Sequence, residues 1–533
     1  MEPDLHALIE ELRLSGDAPQ AAGAPDSWTI VQTHISVVLL GGTRAYKFKK
    51  ALDLGFLDFR TFEQRLHGCR EEVRLNRRLA RDVYLGVAHL VRCAGGGLRL
   101  RSSGEEADEG ELVLDAAVEM VRLPEQMMLD RRLDEGTVTV RDMERLAERV
   151  ADFHRTCATG EGIDEYGEPD ALAGQIDGNL RQMAELPVAG LLGPERVIDV
   201  ISARMRVLLE DVRAVIDARV RSGCIREGHG DLHARNICMP PGDVIIFDCI
   251  EFSMQFRCRD VAAEIAYAAM DLTHRGHPEL AEALLARYAE LSGDHGMRAV
   301  QPLYQAHFAI VRAKVEAIRA AEGGRRPAGD HAEALAHARA YLQRAAGLTQ
   351  PPGIVLMCGL PGSGKSVLAG HLARRLGCDV VRSDVLRKSL AGMKPTDRSA
   401  DADLYSPAMS RRVYDALLDA VRAAVAARRL LVVDATLATR ARRDPFLAFC
   451  AASAARFLLI ETTCGEAESR RRLTARARRA DDASDADGAV FDKALAQYEP
   501  PDEVPPSQRL VAATDRLSDP ELMDAVMARL MEW

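Results

Sequence analysis

Residues 229–236 read HGDLHARN, which sets one carboxylate, two imidazoles, a guanidinium and a carboxamide within eight positions. A β-rich run, IIFDCIEF at 245–252, follows and carries Asp248. Moving the terminal phosphoryl group of ATP to a hydroxyl needs a carboxylate to orient the acceptor and oxygen ligands for the metal that holds the triphosphate. Asp231, with Asn236 five residues later, supplies such a pair, and Asp248 at a strand end can face the same cleft. On that chemistry Asp231 is the candidate base, and Asn236 and Asp248 are candidate metal ligands. A lone Asp-to-Asn spacing is common by chance, whereas His229, Gly230, Asp231, Asn236 and Asp248 in order are not. His229 reads as a buttress of the loop, His233 as structural or acceptor-facing, and Asp260 in RCRDVAAEIA as a helix cap.

A second phosphate signature, GLPGSGKS at 359–366, satisfies G-x-x-x-x-G-K-S. Gly359, Gly362, Ser363 and Gly364 let consecutive backbone N–H groups point at phosphate oxygens. Lys365 is placed to neutralise the β- and γ-phosphates, and Ser366 to set its hydroxyl on magnesium. The context is right: IVLMC precedes the motif as a strand, and Val367, Leu368, Leu372 and Leu376 follow at helical spacing. Downstream, LLVVDAT presents Asp434 at a strand end, where a carboxylate near magnesium is expected.

The 533 residues exceed what one hydrophobic core supports, and roughly three to four folding units of ordinary size would fit. A hydrophobic content of 47% with 28% charged residues is that of a soluble globular chain. The net charge of -10 argues against a generally basic nucleic-acid binder; residues 1–350 sum to roughly -12 and 351–533 to roughly +2. Eleven cysteines, an odd number scattered without CxxC pairs, exclude a full disulfide framework and fit a reducing cytosol. The opening MEPDLHALIEELRL reads as an acidic amphipathic helix without the basic start of a signal peptide. No apolar stretch reaches the roughly 18 to 20 residues needed to span a bilayer. A cytoplasmic protein with no membrane partner is expected.

Along the chain, residues 29–50 read as two strands joined at Gly41-Gly42, and 87–122 as further strands broken by CAGGG and GEEADEGE. FEQRLHGCREEVRLNRRLA between them has helical spacing. From about 141 to 345 the pattern is mostly helical, with the motif region at 224–252 as the exception. The helix after the GGRRPAGD loop at 323–330 is expected to pack on this first unit. LTQPPG at 348–353 marks the boundary, because consecutive prolines stop a helix. Beyond it, IVLMC, SVLAGHLARRL, CDVV, a helix near 407–428, RLLVVD and RFLLIET alternate as strands and helices of a parallel sheet.

HGDLHARN followed by a hydrophobic strand and Asp resembles the aminoglycoside phosphotransferase-like branch of the protein-kinase fold, over about residues 25–345. AYKFKKALDLGFLDF and REEVRLNRRLARDVYLGV resemble a subgroup of that branch commonly fused to a P-loop kinase-like domain. The resemblance implies a bilobed kinase with ATP between the lobes. It implies a strand lysine on the ATP phosphates paired with a glutamate of the upper-lobe helix. Lys47 with Glu72 fits, because A-Y-K echoes V-A-I-K; Lys49 and Glu71 are nearby substitutes. Backbone near Glu119–Val121 would meet adenine. No G-x-G-x-x-G precedes Lys47, so GGT at 41–43 would cover the phosphates. No A-P-E follows Asp248, which favours a small-molecule hydroxyl over a protein substrate.

VVRSDVLRKSL places Asp384 and Arg387 just after the second strand of the C-terminal region. Residues 353–515 resemble the kinase branch of P-loop proteins, including polynucleotide 5'-hydroxyl kinases, zeta-toxin-like sugar-nucleotide kinases and chloramphenicol phosphotransferase. That resemblance implies that Asp384 orients or deprotonates the acceptor hydroxyl and Arg387 contacts the acceptor. The run Arg470, Arg471, Arg472, Arg476, Arg478 and Arg479 resembles a lid whose arginines reach the transferring phosphate. Arg472 and Arg476, four apart, can share a helix face and are the two expected to do so. The rest read as a solvated helix paired with DDASDAD at 481–487. Scarce aromatics and a near-neutral charge favour a small or nucleotide-like acceptor over nucleic acid.

The expected architecture is a bilobed α+β protein-kinase-like domain over 1–349, with an upper lobe at about 25–120 and a lower lobe at about 121–349. An α/β P-loop domain over 350–533, a parallel sheet with flanking helices, follows. The expected activity is that of a bifunctional kinase with ATP and Mg2+ at each site. The competing expectations are a nucleotide-sensing domain that regulates its neighbour, and a P-loop ATPase or polynucleotide kinase.

Overall fold

The structure is a computed structural model that describes residues 5–15, 28–55, 57–194, 196–322, 328–394, 397, 402–427, 429–453, 455–477 and 488–532. The chain divides into two compact units, Met1–Leu172 with Val212–Tyr304, and Ala173–Asp211 with Gln305–Trp533. In chain order the first elements are α1 (Leu5–Ser15), β1 (Thr29–Gln32), β2 (Ser36–Gly41), β3 (Arg44–Lys49), α2 (Phe62–Asn76), β4 (Tyr84–Arg92), β5 (Leu98–Arg101) and β6 (Leu112–Val121). Next come α3 (Leu129–Asp134), α4 (Val140–Thr156), α5 (Pro169–Ala184), α6 (Val197–Arg221), β7 (Ile225–Glu227), β8 (Ile237–Cys238), β9 (Ile245–Ile246), α7 (Met254–Arg257), β10 (Cys258–Asp260), α8 (Val261–His274), α9 (Pro278–Ser292), α10 (Gln301–Ala321) and α11 (Ala328–Leu348). The remainder are β11 (Gly353–Cys358), α12 (Lys365–Leu376), β12 (Asp379–Arg382), α13 (Ser383–Leu390), α14 (Pro407–Ala426), β13 (Leu430–Asp434), α15 (Arg440–Ser453), β14 (Arg456–Thr463), α16 (Glu466–Ala477), α17 (Gly488–Ala496), β15 (Arg509–Ala513) and α18 (Asp519–Met531).

In the first unit a six-stranded sheet runs β1-β2-β3-β6-β4-β5, with every pairing antiparallel. Residues 29–50 hold three strands where two were expected, because Thr33 and Ser36 close a turn inside the segment. Side chains alternate along β3 as strand geometry requires. Tyr46 and Phe48 join a core with Leu8, Ile9 and Leu12 of α1, whereas Lys47 and Lys49 reach Glu72 of α2. Helix α2 starts at a reciprocal cap, Thr61 with Gln64, and packs Cys69 and Val73 on Tyr84, Ala116 and Val118. The sheet is thus covered on one face by α1 and on the other by α2. The short pair β8–β9 follows HGDLHARN and delivers Asp248 two residues after β9.

In the second unit a five-stranded parallel sheet runs β12-β13-β11-β14-β15. Parallel strands are buried on both faces, and β11 and β13 are buried at every position. Ile354, Leu356 and Cys358 pack with Val413, Leu417 and Val421 of α14. Chain order reverses between β11 and β13, and ligands of such sheets bind outside the strand ends at that point. Helix α11 packs against α12 and also against α10, with Arg312 over the Tyr341 ring and His331 Nδ1 2.7 Å from the Ala320 carbonyl. A Cβ on Gly347 would stand 2.0 Å from the Leu376 carbonyl oxygen, so this approach requires glycine. Among the described residues no helix is long and apolar enough to cross a membrane.

Candidate active sites

The first site is assembled around Lys47. Its ammonium lies 2.9 Å from Glu72 Oε1 and is ion-paired to Asp248. Lys49, one side-chain repeat along β3, pairs with the other oxygen of Glu72 and with Glu251. All four members of this Lys47–Glu72–Lys49–Glu251 chain are buried. Burial alone would lower the Lys47 ammonium, but Asp248, Glu72 and Glu251 outweigh it and hold it well above the usual range. Burial likewise works to raise the Glu72 carboxyl, and the two lysines override it, holding it down at about 2. Glu71 is turned to the surface and paired with Arg74.

HGDLHARN is fixed from beneath by α8. Glu264 accepts from the backbone N–H of His229 at 2.6 Å and of Gly230 at 2.7 Å, and lies 2.8 Å from His154 Nε2. Burial raises this carboxyl, yet the His154 hydrogen bond, the charges of His154 and His229 and the Gly230 N–H bring it down to about 2. Asp271, two turns along α8, accepts from the Ala234 N–H at 2.9 Å. Gly230 has φ +88, and a Cβ there would stand 2.8 Å from the Phe256 carbonyl oxygen, so only glycine fits. His229 is buried, and burial lowers its imidazole. Its Nε2 lies 2.9 Å from the Phe247 carbonyl while Nδ1 accepts from the Asp231 N–H, the buttress expected of it. Asp260 caps α8 by accepting from the Ala262 N–H.

Above this floor the polar groups converge. Asn236 Nδ2 donates to Asp231 Oδ2 at 3.0 Å and to the Asp231 carbonyl at 3.0 Å. His233 Nε2 is 3.3 Å from Asp231 Oδ2. Phe247 N–H donates to the Asn236 carbonyl, tying the strand end to the loop. Asp248 follows with φ +64, a left-handed conformation that costs a non-glycine residue energy. Tyr84 Oη accepts its N–H at 3.0 Å, and Asn76 Oδ1 accepts the next N–H, from Cys249. Asp231 and Asp248 remain 31% and 43% exposed while their supports are buried, so these two carboxylates face solvent-accessible space. Glu119 of β6 is buried and accepts from Ser102 Oγ and the Ser103 N–H.

The second site surrounds the loop between β11 and α12. Gly359, Gly362 and Gly364 have φ of +140, +79 and +89. Ser363 Oγ is 2.6 Å from Thr462 Oγ1, and Thr514 Oγ1 donates to the Ser363 carbonyl at 2.8 Å. Lys365 Nζ donates to the Leu360 carbonyl at 2.8 Å. Burial pushes its ammonium down, opposed by Asp434 and Asp384. Asp434 ends β13 beside Met357 of β11 and sits 3.2 Å from Arg382 Nε. One cavity of ≈ 1090 Å³ is lined by Lys365, Ser366, Asp384, Arg387, Asp434 and Arg476, among others.

Arg472 also lines that cavity, held by Glu468 at 2.9 Å and by Thr514 Oγ1 and carbonyl at 3.0 Å each. Arg470 and Arg471 are engaged by Glu466, Asp492 and Glu468. Arg478, Arg479 and the acidic run 481–487 lie outside the described residues. Sequence reasoning missed Glu264, Asp271, Glu251 and Asn76. A signal existed for the first two: VAAEIAYAAMDL carries its only acids seven apart on an otherwise apolar helix.

Magnesium retains waters and substrate phosphates and takes one or two protein oxygens. Asn236 with Asp248, and Ser366 with Asp434, are the oxygen-bearing residues that could offer such a ligand set. Among the described residues no group of three or more His, Cys, Asp or Glu side chains is disposed to hold a metal.

Residues 354–501 match the family described as AAA domain. The choline/ethanolamine kinase family protein from Mesorhizobium loti is 14% identical and aligns over 69% of this chain and 98% of its own, with a TM-score of 0.40. The Mycobacterium tuberculosis APS kinase CysC is 23% identical over 34% of this chain and 99% of its own, with a TM-score of 0.26. The Mycobacterium tuberculosis protein named "Uncharacterized protein Rv2004c" is 32% identical over 428 residues, 79% of each chain. The chain belongs to the family of that mycobacterial protein.

Proposed function

We propose that the chain is a bifunctional ATP-dependent phosphotransferase in which each site moves the γ-phosphate to a hydroxyl of a small or nucleotide-like acceptor. The observation that carries this reading is that each site sets a buried lysine beside a carboxylate that is not itself buried: Lys47 paired with Asp248, and Lys365 in one cavity with Asp384. We assign the first activity to residues 1–349 and the second to 350–533.

In the first site Asp231 takes the acceptor proton, with Asn236 Nδ2 and His233 Nε2 both fixing its Oδ2. Asn236 Oδ1 and Asp248 would hold magnesium, and Lys47, kept in place by Glu72, would meet the phosphates. Magnesium supplies charge neutralisation of the phosphates when bound. In the second site the backbone of Gly359–Gly364 and Lys365 cradle the phosphates. Ser366 and Asp434 would hold the metal, Asp384 and Arg387 orient the acceptor, and Arg472 and Arg476 offset the charge of the transferring group. The full chain is expected to bind two equivalents of Mg-ATP in calorimetry. Lys47→Ala and Lys365→Ala each remove one; a single equivalent insensitive to either change contradicts the proposal.

A second reading makes the first site a nucleotide sensor. It is favoured by the bare two-residue turn between β2 and β3, which has no glycine-rich flap. It predicts that Lys47→Ala changes the rate of Lys365-dependent turnover and abolishes no product of its own.

A further inference from the structure

The segment Asp248-Cys249-Ile250-Glu251 sends its two carboxylates to different surroundings. The Asp248 side chain is 43% exposed, whereas that of Glu251 is 3% exposed and paired with Lys49, which is itself buried. Asp248 has φ +64, and a left-handed residue other than glycine persists only where its surroundings over-determine it. Ties on every residue of the segment do so. Tyr84 Oη accepts the Asp248 N–H at 3.0 Å, Asn76 Oδ1 the Cys249 N–H at 2.9 Å, and the His229 carbonyl the Ile250 N–H at 3.1 Å. The Glu251 carbonyl accepts from Arg257 Nη1 at 3.3 Å, and its carboxylate accepts from Lys49. The three N–H ties are neutral hydrogen bonds. The tie to Lys49 joins two charges, and charge-assisted hydrogen bonds are roughly twice as strong.

Lys49 is a firm anchor because it is fixed at both ends. Its backbone stands opposite Ser36 in the β2–β3 ladder, and its ammonium also pairs with Glu72 of α2 and lies 5.4 Å from the Phe59 ring centre. One ammonium thus joins the sheet, α2 and the segment after β9. Taking two charges out of water is costly, so a buried ion pair is weak evidence for stability alone. A role in fixing geometry accounts for keeping it.

We propose that Lys49 and Glu251 are positioning residues of the first site: their pair holds the segment in its left-handed turn and so keeps the Asp248 carboxylate where it can serve a metal. The inference rests on reading this site as one of phosphoryl transfer. Lys47 and Lys49, alternate residues of β3, divide the work through the two oxygens of Glu72. The first meets the phosphates, and the second holds the segment that carries the metal ligand.

The test compares the full chain with its Glu251→Leu and Glu251→Gln variants, glutamine keeping a side-chain oxygen for Lys49. The first measurement is alkylation of Cys249 by iodoacetamide relative to Cys69 of α2 and Cys238 of β8, all three buried in the same unit. A general loss of stability accelerates the three alike, whereas release of the segment accelerates Cys249 alone. The Cys249 ratio should rise about ten-fold or more in Glu251→Leu and stay within about three-fold of wild type in Glu251→Gln. A ratio unchanged in Glu251→Leu, or raised equally in both variants, overturns the inference. The second measurement titrates Mn-AMP-PNP, manganese standing in for magnesium, and in parallel metal-free AMP-PNP, into the same chains carrying Lys365→Ala. Glu251→Leu should weaken the manganese complex about ten-fold or more and leave the metal-free nucleotide unchanged. Equal affinities in all chains, or equal losses with and without metal, overturn the inference. Binding that is insensitive to Lys47→Ala counts against the phosphotransfer reading itself, while the cysteine ratio still decides the Lys49–Glu251 anchor.

Discussion

Lys47 and Lys365 occupy comparable places in two sites but are held by opposite means. Lys47 is surrounded by carboxylates that raise its ammonium well above the usual range, and Lys365 touches a backbone carbonyl and is lowered by burial. The first site is therefore compensated in advance by the carboxylates of Glu72 and Asp248. The second site is left electrically short, so an anion entering it meets an ammonium with no carboxylate at hydrogen-bond distance among the described residues. The first arrangement depends on residues brought together from positions 47 to 264. The second depends on one loop and the ends of adjacent strands.

That contrast can be broken or sharpened by substitution. The largest effect is expected at the bases: Asp231→Asn should lower turnover of the first site by on the order of 10²–10⁴-fold, measured with its labelled product, and leave the Lys365-dependent product intact. Glu251→Ala should follow, because it leaves buried Lys49 and Lys47 to share Glu72; stability falls by about 1–3 kcal/mol in urea unfolding, confined to the first unit.

Acid should then separate the floor of the first site from the rest. The folded Glu264 carboxyl sits at about 2 against an ordinary value of 4.5. A depressed carboxyl contributes stability above its unfolded value and loses it as pH falls through the folded one. Between about pH 4.5 and 2 the wild type should therefore lose on the order of 3 kcal/mol that Glu264→Gln does not lose, read by denaturant unfolding across pH.

In the second unit, Gly347→Ala forces α11 away from α12. A loss of about 1–3 kcal/mol is expected, with faster hydrogen exchange in α12. The smallest effect is expected at Arg470→Ala, whose exposed pairs with Glu466 and Asp492 should leave the melting temperature and both products unchanged.

The two regions also differ in how far their sequence discloses them. The loop at 359–366 and Asp434 are legible because strand, turn and helix are contiguous and their spacing is fixed by backbone geometry. HGDLHARN and Asp248 are legible for the same local reason. Glu251 is not, because its meaning comes from Lys49, 202 residues away across the fold. Asn76 likewise matters only through the Cys249 N–H it meets at long range. Lys47 stands ahead of Lys49 in the sequence only through the echo of A-Y-K, since β3 sends both to the same face; in the structure their partners, Asp248 for one and Glu251 for the other, separate them. The contact of α11 with α12 is not legible, because position in the chain says nothing of the close approach at Gly347. The turn inside 29–50 carries neither Gly nor Pro at Thr33–Ser36, so no breaker announced it.

The most direct measurement of two independent phosphotransfer sites incubates the full chain with γ-labelled ATP and a cell metabolite extract, comparing wild type, Asp231→Asn and Lys365→Ala. The account predicts two labelled products, one lost in each variant and retained in the other. Labelled products that survive both substitutions unchanged would contradict it.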